Sequence, residues 1–228
     1  MDISKKLDIL DKLFRLYDSA IADAHVACEK GCAHCCTRNV TVTTIEGCRL
    51  VDTLSAEALE ALFGRLAGAA GKARFRPLIT INTLAELSMA DKDPPDEACD
   101  PAWTPCALLE DDLCTVYDIR PFACRCMASS AVCTADGFAD MDEYLVSVNT
   151  VFQQVIEHLD VPGATGNLVD VLAFLKDVEN RSIYRTGMMR PDALGMPANR
   201  HLKMLMIPPE HRQRLQPVVA SIQDILAG

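Results

Sequence analysis

Four cysteines lie within a short stretch near the amino terminus of the chain, namely Cys28, Cys32, Cys35 and Cys36. The chain has 11 cysteines in all, and the others are Cys48, Cys99, Cys106, Cys114, Cys124, Cys126 and Cys133. No cysteine follows Cys133, so the thiols are concentrated in one half of the sequence. Thiols at this density act as metal ligands, disulfide partners or nucleophiles. The pattern therefore indicates a site, and the cysteines are the first residues to which a chemistry must be assigned.

Metal ligation is the role that the sequence favours. Charged residues recur through the first 18 residues, which argues against a secretory signal peptide, and no run of 18 apolar residues predicts a membrane span. We therefore expect a cytoplasmic protein in a reducing compartment, where disulfides are rare. An odd number of cysteines also cannot all pair within one chain. A secreted protein built on disulfides is the less favoured interpretation.

Length and composition limit the fold and the partners. A chain of 228 residues that is 50% hydrophobic can bury a core as one large domain or two small ones. A net charge of −10 argues against nucleic-acid binding. The expected partners are a metal ion or cluster, with a protein partner or a protein substrate as a further candidate, and neither nucleic acid nor membrane. The basic, methionine-rich segment 181–214 indicates either a docking face for an acidic partner or a cap whose methionines fill the core, and we favour the cap.

The spacing of the thiols narrows the kind of metal site. Zn²⁺ and iron–sulfur clusters each take about four thiolates. Cys32-x2-Cys35 has the spacing of a metal knuckle, but adjacent thiols at Cys35 and Cys36 rarely point at one ion. They suit two metals, a multi-iron cluster, or one ligand beside one bystander. The wider spacing of Cys106, Cys114 and Cys124 is typical of loops that fold back onto one centre.

Four nearby arginines are candidates for a supporting role around the sulfurs. A four-thiolate zinc site or a [4Fe–4S] cluster carries a net charge of about −2, which hydrogen bonds to sulfur can offset. The alternative for each arginine is a surface ion pair. The four are Arg38, Arg49, Arg120 and Arg125.

Four ordered motifs then resemble a known family. They are Cys28-x3-Cys32-x2-Cys35-Cys36, Pro105-Cys106-x-Leu108, Cys114-x2-Tyr117 and Arg120-Pro121-x2-Cys124-Arg125. This set is similar to the YkgJ-type cysteine-cluster family, also described as the CxxCxxCC family of zinc- or iron-chelating proteins. The resemblance covers roughly residues 28–127. The chain departs from the family pattern in the first gap, which has three residues rather than two, and at His34 and Cys126.

The resemblance implies a site that holds zinc or an iron–sulfur cluster through seven or eight cysteines. The implied ligands are Cys28, Cys32, Cys35, Cys36, Cys106, Cys114 and Cys124, with Cys126 or Cys99 as the eighth. Glu46 stands where the family often has an acidic residue. His34 is a candidate for an extra ligand, although we favour a solvent-exposed histidine. Cys48 and Cys133 are expected to be plain core or surface thiols.

An enzyme is the alternative to a metal-binding protein. A flagellin lysine N-methylase is similar over the cysteine region, which implies that the scaffold can support redox or protein-modifying chemistry. Cys28-x3-Cys32-x2-Cys35 also has the spacing of a radical S-adenosylmethionine cluster motif. We treat that match as coincidental because the sequence lacks the run of strands that should follow.

The predicted fold is mainly α, with a small irregular cysteine-rich metal-binding core and short β pieces packed by helices. We predict a cysteine-cluster domain over residues 1–140 and a helical region over 141–228 packed on it. Apolar periodicity and capping residues predict the helices. The predicted spans are 3–26, 44–54, 55–70, 78–89, 141–159, 168–178 and 209–226, with a short strand at 40–44 and a hairpin between residues 105 and 117.

Overall fold

The computed structural model describes residues 1–97, 104–133 and 139–228. Within these ranges it contains nine α-helices and two sheets of two strands each. The helices are α1 (Ile3–Ala20), α2 (Thr44–Thr53), α3 (Ala56–Ala69), α4 (Ile81–Met89), α5 (Phe122–Arg125), α6 (Glu143–Leu159), α7 (Leu168–Lys176), α8 (Val178–Arg185) and α9 (Arg212–Ala227). The prediction of a mainly helical protein with short β pieces is confirmed.

Helix α1 delivers the chain to the first cysteines. Its apolar side chains recur at three- and four-residue steps, which places them on one buried face. The helix ends at Ala20, six residues earlier than the predicted span. Beyond it the Ala24 N–H donates to the Ile21 carbonyl at 2.9 Å, and the Ala27 N–H donates to the Ser129 carbonyl at 2.7 Å. These bonds turn the chain and hold it against another segment just before Cys28.

Side-chain caps fix the starts of the next three helices. Thr43 and Glu46 form a capping box at α2, and the Ser55 hydroxyl accepts from the Ala58 N–H at α3. Both helices match their predicted spans closely. Helix α4 begins at Ile81, later than predicted, because the Thr80 hydroxyl accepts from the Thr83 N–H and so caps the helix there.

Two small sheets hold distant parts of the chain together. Strand β1 (Thr41–Thr43) pairs antiparallel with β4 (Thr165–Asn167), a partner that the sequence did not predict. Strand β2 (Leu109–Glu110) pairs with β3 (Leu113–Cys114) in the predicted hairpin. Its turn residues Asp111 and Asp112 have φ of 48° and 61°, a left-handed conformation that aspartate tolerates.

One hydrophobic core joins the two halves of the chain. Tyr17, Phe122 and Phe152 stack at its centre, with ring centroids 4.8 to 5.9 Å apart. Because these rings come from α1, α5 and α6, the core and the β1–β4 sheet both cross the predicted boundary at residue 140. The two-domain division itself stays a prediction. None of the helices in the described ranges is both long enough and apolar enough to cross a bilayer.

The basic segment 181–214 packs mainly as a cap. Met189 and Met196 are buried in the core, whereas Met188 is 73% exposed. Arg185 forms an ion pair with Asp52 at 2.5 Å, and Lys203 pairs with Glu86 at 2.9 Å. These pairs join the basic segment to the acidic first half, as the favoured interpretation predicted. Helix α8 was not predicted, and α7 stops at Lys176 because the Asp177 carboxylate caps α8.

Candidate metal centre

Three separate segments carry the predicted ligands, and backbone hydrogen bonds bring them together. The first is residues 28–36, here called the clip. The Cys106 N–H donates to the Cys36 carbonyl at 2.8 Å, and the Arg38 N–H donates to the Thr104 carbonyl at 3.0 Å. The β2–β3 hairpin then returns the chain to Cys114, and α5 presents Cys124. The clip, the hairpin and α5 therefore surround one space.

That space is a cavity of about 380 Å³, here called the thiol cavity. Seven of the eight predicted ligands line it, and they are Cys28, Cys32, Cys35, Cys36, Cys106, Cys114 and Cys124. Cys126, the eighth residue of the predicted set, is 5% exposed and lies in the hydrophobic core. Its Sγ donates to the Ala123 carbonyl at 3.5 Å and accepts from Gln153 Nε2 at 3.8 Å. The structure thus brings seven predicted ligands together and turns Cys126 toward the core.

The clip is folded by two consecutive turns. The Cys32 N–H donates to the Glu29 carbonyl, and the Cys36 N–H donates to the Ala33 carbonyl, both at 3.0 Å. Gly31 has φ of 100°, a conformation that glycine adopts without strain. The two turns point several thiols toward the same cavity within nine residues.

Backbone N–H groups donate to three of the cavity thiols. The Leu108 N–H lies 3.5 Å from Cys106 Sγ. The backbone of Val116 donates to the Cys114 thiol and that of Ser129 to the Cys28 thiol. Hydrogen bonds of this kind favour the thiolate, the form that binds metal. The backbone at these three positions is therefore arranged to support sulfur ligands.

Burial works in the opposite direction and keeps most of the thiols neutral. It is the largest cause of the raised pKa of Cys28, Cys106, Cys114 and Cys124. Repulsion between neighbouring thiolates adds to the rise at Cys28, Cys106 and Cys124. A bound cation would reverse this balance, because it attracts every thiolate at once. The donor set therefore fits a thiophilic metal or an iron–sulfur cluster.

The adjacent pair Cys35 and Cys36 is the exception. The Cys36 thiol donates a hydrogen bond to Cys35, which lowers the pKa of Cys35 to about 6 and raises the pKa of Cys36. Nearby His34 also favours the Cys35 thiolate, although its side chain is exposed, as expected. The two adjacent thiols therefore line the cavity with opposite shifts in pKa.

Two of the four candidate arginines reach the cavity. Arg120 and Arg125 line it, and Arg120 lies over the Tyr117 ring at 4.0 Å. Arg125 donates to both Asp18 carboxylate oxygens at 3.0 Å, yet its Nε is buried without a hydrogen-bond partner. An unpaired donor of this kind costs free energy unless an anionic group accepts from it. A metal–thiolate centre beside Cys124 would be such an acceptor.

The other two arginines are used elsewhere. Arg49 forms an ion pair with Asp11 at 2.6 Å and donates to the Ile119 carbonyl at 3.2 Å. Arg38 donates to the Ala73 carbonyl at 3.2 Å. For both residues the structure favours a role in packing over a role at the sulfurs.

Glu46 positions helix α5 rather than facing the cavity. Its carboxylate is fully buried and accepts from the Phe122 N–H at 2.6 Å, and from the Thr43 N–H and hydroxyl at 2.9 and 2.7 Å. Burial raises its pKa despite these bonds. Because Phe122 opens α5, Glu46 holds the first turn of the helix that carries Cys124.

The remaining cysteines have different surroundings. Cys48 is completely buried in the core, as predicted, and its thiol donates to Asp52 at 3.5 Å. Cys133 is half-buried and lies close enough to Cys28 for its thiolate to raise the pKa of Cys28. No sequence pattern predicted this proximity, because it depends on how the chain folds around Ser129. Cys99 lies outside the described residues.

The thiols are gathered but not preassembled. Among the described histidine, cysteine, aspartate and glutamate side chains, no group of three or more stands in metal-binding geometry. Comparisons with family models, with curated proteins and with solved structures found no match to this chain.

Proposed function

We propose that this chain is a metal-binding protein that holds zinc or an iron–sulfur cluster through its cavity cysteines. The observation that carries the proposal is the convergence of seven predicted ligands from three segments on one cavity. Seven half-buried thiols line one cavity, and several of them would repel one another if ionised. A thiophilic metal accounts for the number and the grouping of these side chains.

The supporting residues have roles that follow from their contacts. The backbone N–H groups at Ser129, Leu108 and Val116 would stabilise the bound thiolates. Arg120 and Arg125 would offset part of the negative charge of the centre, and Arg125 Nε would gain the acceptor that it lacks. The resemblance to the YkgJ-type family agrees with this proposal, and membership of that family remains part of the proposal. We expect a cytoplasmic location, where thiols stay reduced.

Metal and acid-labile sulfide analysis of anaerobically purified protein tests the proposal. Iron and sulfide in near-equal amounts, with a visible absorption that dithionite bleaches, would identify an iron–sulfur protein. Zinc without visible absorption would identify a zinc protein. Protein that contains neither metal and takes up neither after reconstitution would refute the proposal.

An enzyme is the second candidate, and the size of the cavity favours it. A volume of about 380 Å³ lies within the range of small-molecule sites, and non-thiol side chains such as Tyr117 and Met127 also line it. We propose as the alternative an iron–sulfur enzyme with redox or protein-modifying activity, of the lysine N-methylase type. Saturable binding of S-adenosylmethionine to the iron-loaded protein, absent from the zinc-loaded protein, would support this alternative. Equal or no binding by both forms would contradict it.

A further inference from the structure

The cavity thiols fall into two groups when the contacts between them are traced. Cys36, Cys106, Cys114 and Cys124 form the first group. A backbone hydrogen bond joins Cys106 to Cys36, and the β2–β3 hairpin brings Cys114 back beside Cys106. Electrostatic repulsion links Cys124 to Cys106 and Cys114, and Cys36 to Cys124 and Cys106. Four thiols that face one another in this way match the ligand number of one centre.

The second group lies in the clip and has only three cavity thiols. Cys28 is electrostatically coupled to Cys32 and Cys35, and Cys32-x2-Cys35 has knuckle spacing. Cys35 and Cys36 contact each other at the boundary between the two groups. Because tetrahedral zinc and cubane clusters take four protein ligands in a closed site, this group lacks one.

Cys133 is the candidate for the fourth ligand because it lies close enough to Cys28 to raise the pKa of that thiol, although it does not line the thiol cavity. The Ala27 N–H donates to the Ser129 carbonyl at 2.7 Å, and the Ser129 backbone donates to the Cys28 thiol. The Ser129 hydroxyl donates to the Ala131 carbonyl at 2.7 Å, which turns the chain just before Cys133. These hydrogen bonds around Ser129 bring Cys28 and Cys133 close together, although the two residues are far apart in the chain.

Two other described cysteines are less suitable as the fourth ligand. Cys126 is buried in the core and bonded to Ala123 and Gln153, so it would have to break both contacts to turn. Cys48 is completely buried and bonded to Asp52. Cys133 is half-buried, is not part of a disulfide and lies near Cys28.

We propose that the protein holds two four-thiolate centres, one formed by Cys36, Cys106, Cys114 and Cys124 and the other by Cys28, Cys32, Cys35 and Cys133. This inference rests on the proposed metal-binding function. It gives adjacent Cys35 and Cys36 to different centres, which is the arrangement that neighbouring thiols favour. It also gives a metal role to Cys133, which the sequence predicted to be a plain thiol.

Anaerobic titration of the metal-free, reduced full-length chain with Co²⁺ tests the division. Cobalt reports four-thiolate sites through its charge-transfer and visible ligand-field absorption. The two proposed groups hold eight cysteines, and a tetrahedral metal takes about four thiolates. We therefore expect the wild type to form about two cobalt–thiolate centres. Cys133→Ser should reduce this to about one, while Cys126→Ser, the control, should retain about two. Cys114→Ser should remove the other centre, and Cys114→Ser combined with Cys133→Ser should remove both.

Each result separates the inference from the function on which it rests. A wild type that forms one centre, or a Cys133→Ser variant that keeps two, would overturn the division while leaving metal binding intact. Loss of a centre in Cys126→Ser but not in Cys133→Ser would assign the eighth ligand to Cys126 instead. A wild type that forms no cobalt–thiolate centre and takes up no iron–sulfur cluster on reconstitution would refute the proposed function itself. Circular dichroism of each variant would establish that the chain remains folded.

Discussion

The thiol cavity and the carboxylate of Asp160 are two places where this protein keeps ionisable groups away from water. They differ in the donors that surround each group. The carboxylate of Asp160 accepts from the Thr44 and Tyr184 hydroxyls at 2.6 and 2.5 Å, from the Ile45 N–H at 3.1 Å and from Asn199 Nδ2 at 2.9 Å. We call this set the Asp160 junction. In the thiol cavity, by contrast, seven thiols lie together and only a few backbone N–H groups donate hydrogen bonds to them.

The difference distinguishes a structural polar group from a binding site. At the Asp160 junction, donors from α2, α8 and the segment before residue 200 converge on one acid, so the carboxylate joins distant elements. A Cβ at Gly163 would lie 2.5 Å from both Asp160 carboxylate oxygens, so the surrounding backbone is fitted to the carboxylate. In the thiol cavity, the sulfurs face a space and one another. Under the proposed function, the partner of these sulfurs is a metal from outside the chain.

The largest expected effect is on metal content. Cys124→Ser should lose nearly all metal from its centre, because the binding free energy of a structural four-ligand site is on the order of 10 kcal/mol and depends on every ligand. The melting temperature of the metal-loaded protein should fall with it. Cys48→Ser is the matched control, since Cys48 is also buried but does not line the cavity, and its metal content should stay unchanged. Full metal content in Cys124→Ser would contradict the assignment.

At the Asp160 junction the effect should fall on stability instead. Asp160→Ala leaves four buried donors without an acceptor, which should cost on the order of 3 kcal/mol or more of unfolding free energy. Urea denaturation measures this cost, and metal analysis of the folded fraction should show no loss. Asp8→Ala, which removes an exposed carboxylate paired with Lys12, is the control and should leave stability nearly unchanged. Metal loss in Asp160→Ala would show that the two regions are coupled.

Glu46 lies between the two cases and sharpens the comparison. Glu46→Gln keeps the shape of the side chain but loses acceptor capacity toward Phe122 and Thr43, at a cost of about 1–3 kcal/mol. It should also weaken metal affinity by about 10- to 100-fold, as the loss of a positioning residue does. Glu157→Gln is the control, because that buried carboxylate accepts from the Asn82 and Arg200 N–H groups, both at 2.7 Å, away from the cysteines. If Glu46→Gln and Glu157→Gln bind metal with equal affinity, Glu46 does not position a ligand.

The pH dependence of stability provides a further test at the Asp160 junction. Burial raises the pKa of Asp160 to about 7 from an ordinary value of 3.8, even though Lys6 and the surrounding hydrogen bonds act in the opposite direction. The folded state therefore holds the proton more tightly. This contribution to stability is complete below pH 3.8 and is lost as pH rises toward 7.

Comparison of the metal-free wild type with Asp160→Asn isolates that contribution. Between pH 4 and 7 the stability of the wild type should fall relative to that of the variant by up to about 1.4 kcal/mol per pH unit. Chemical denaturation at several pH values measures the difference, and other titrating groups cancel in it. Parallel curves for the two proteins would mean that Asp160 is ionised throughout this range in the folded state.

Local sequence patterns predicted most helices because their causes are local. Apolar periodicity and a capping hydroxyl are sufficient for α2 and α3. The pattern was less informative at α1, which ends at Ala20, seven residues before Ala27 donates to the Ser129 carbonyl. Strand β4 was missed because three residues, Thr165–Asn167, become a strand only by pairing with β1.

The sequence by itself determined that this protein carries a cysteine site and which segments supply it, because thiol spacing and motif order are properties of the chain. It also determined that helices would frame that site. Only the tertiary structure decided which thiols face the cavity, that Cys126 turns into the core, and that Cys133 approaches Cys28. Side-chain direction and long-range proximity depend on packing between segments far apart in the chain, and no local pattern encodes them.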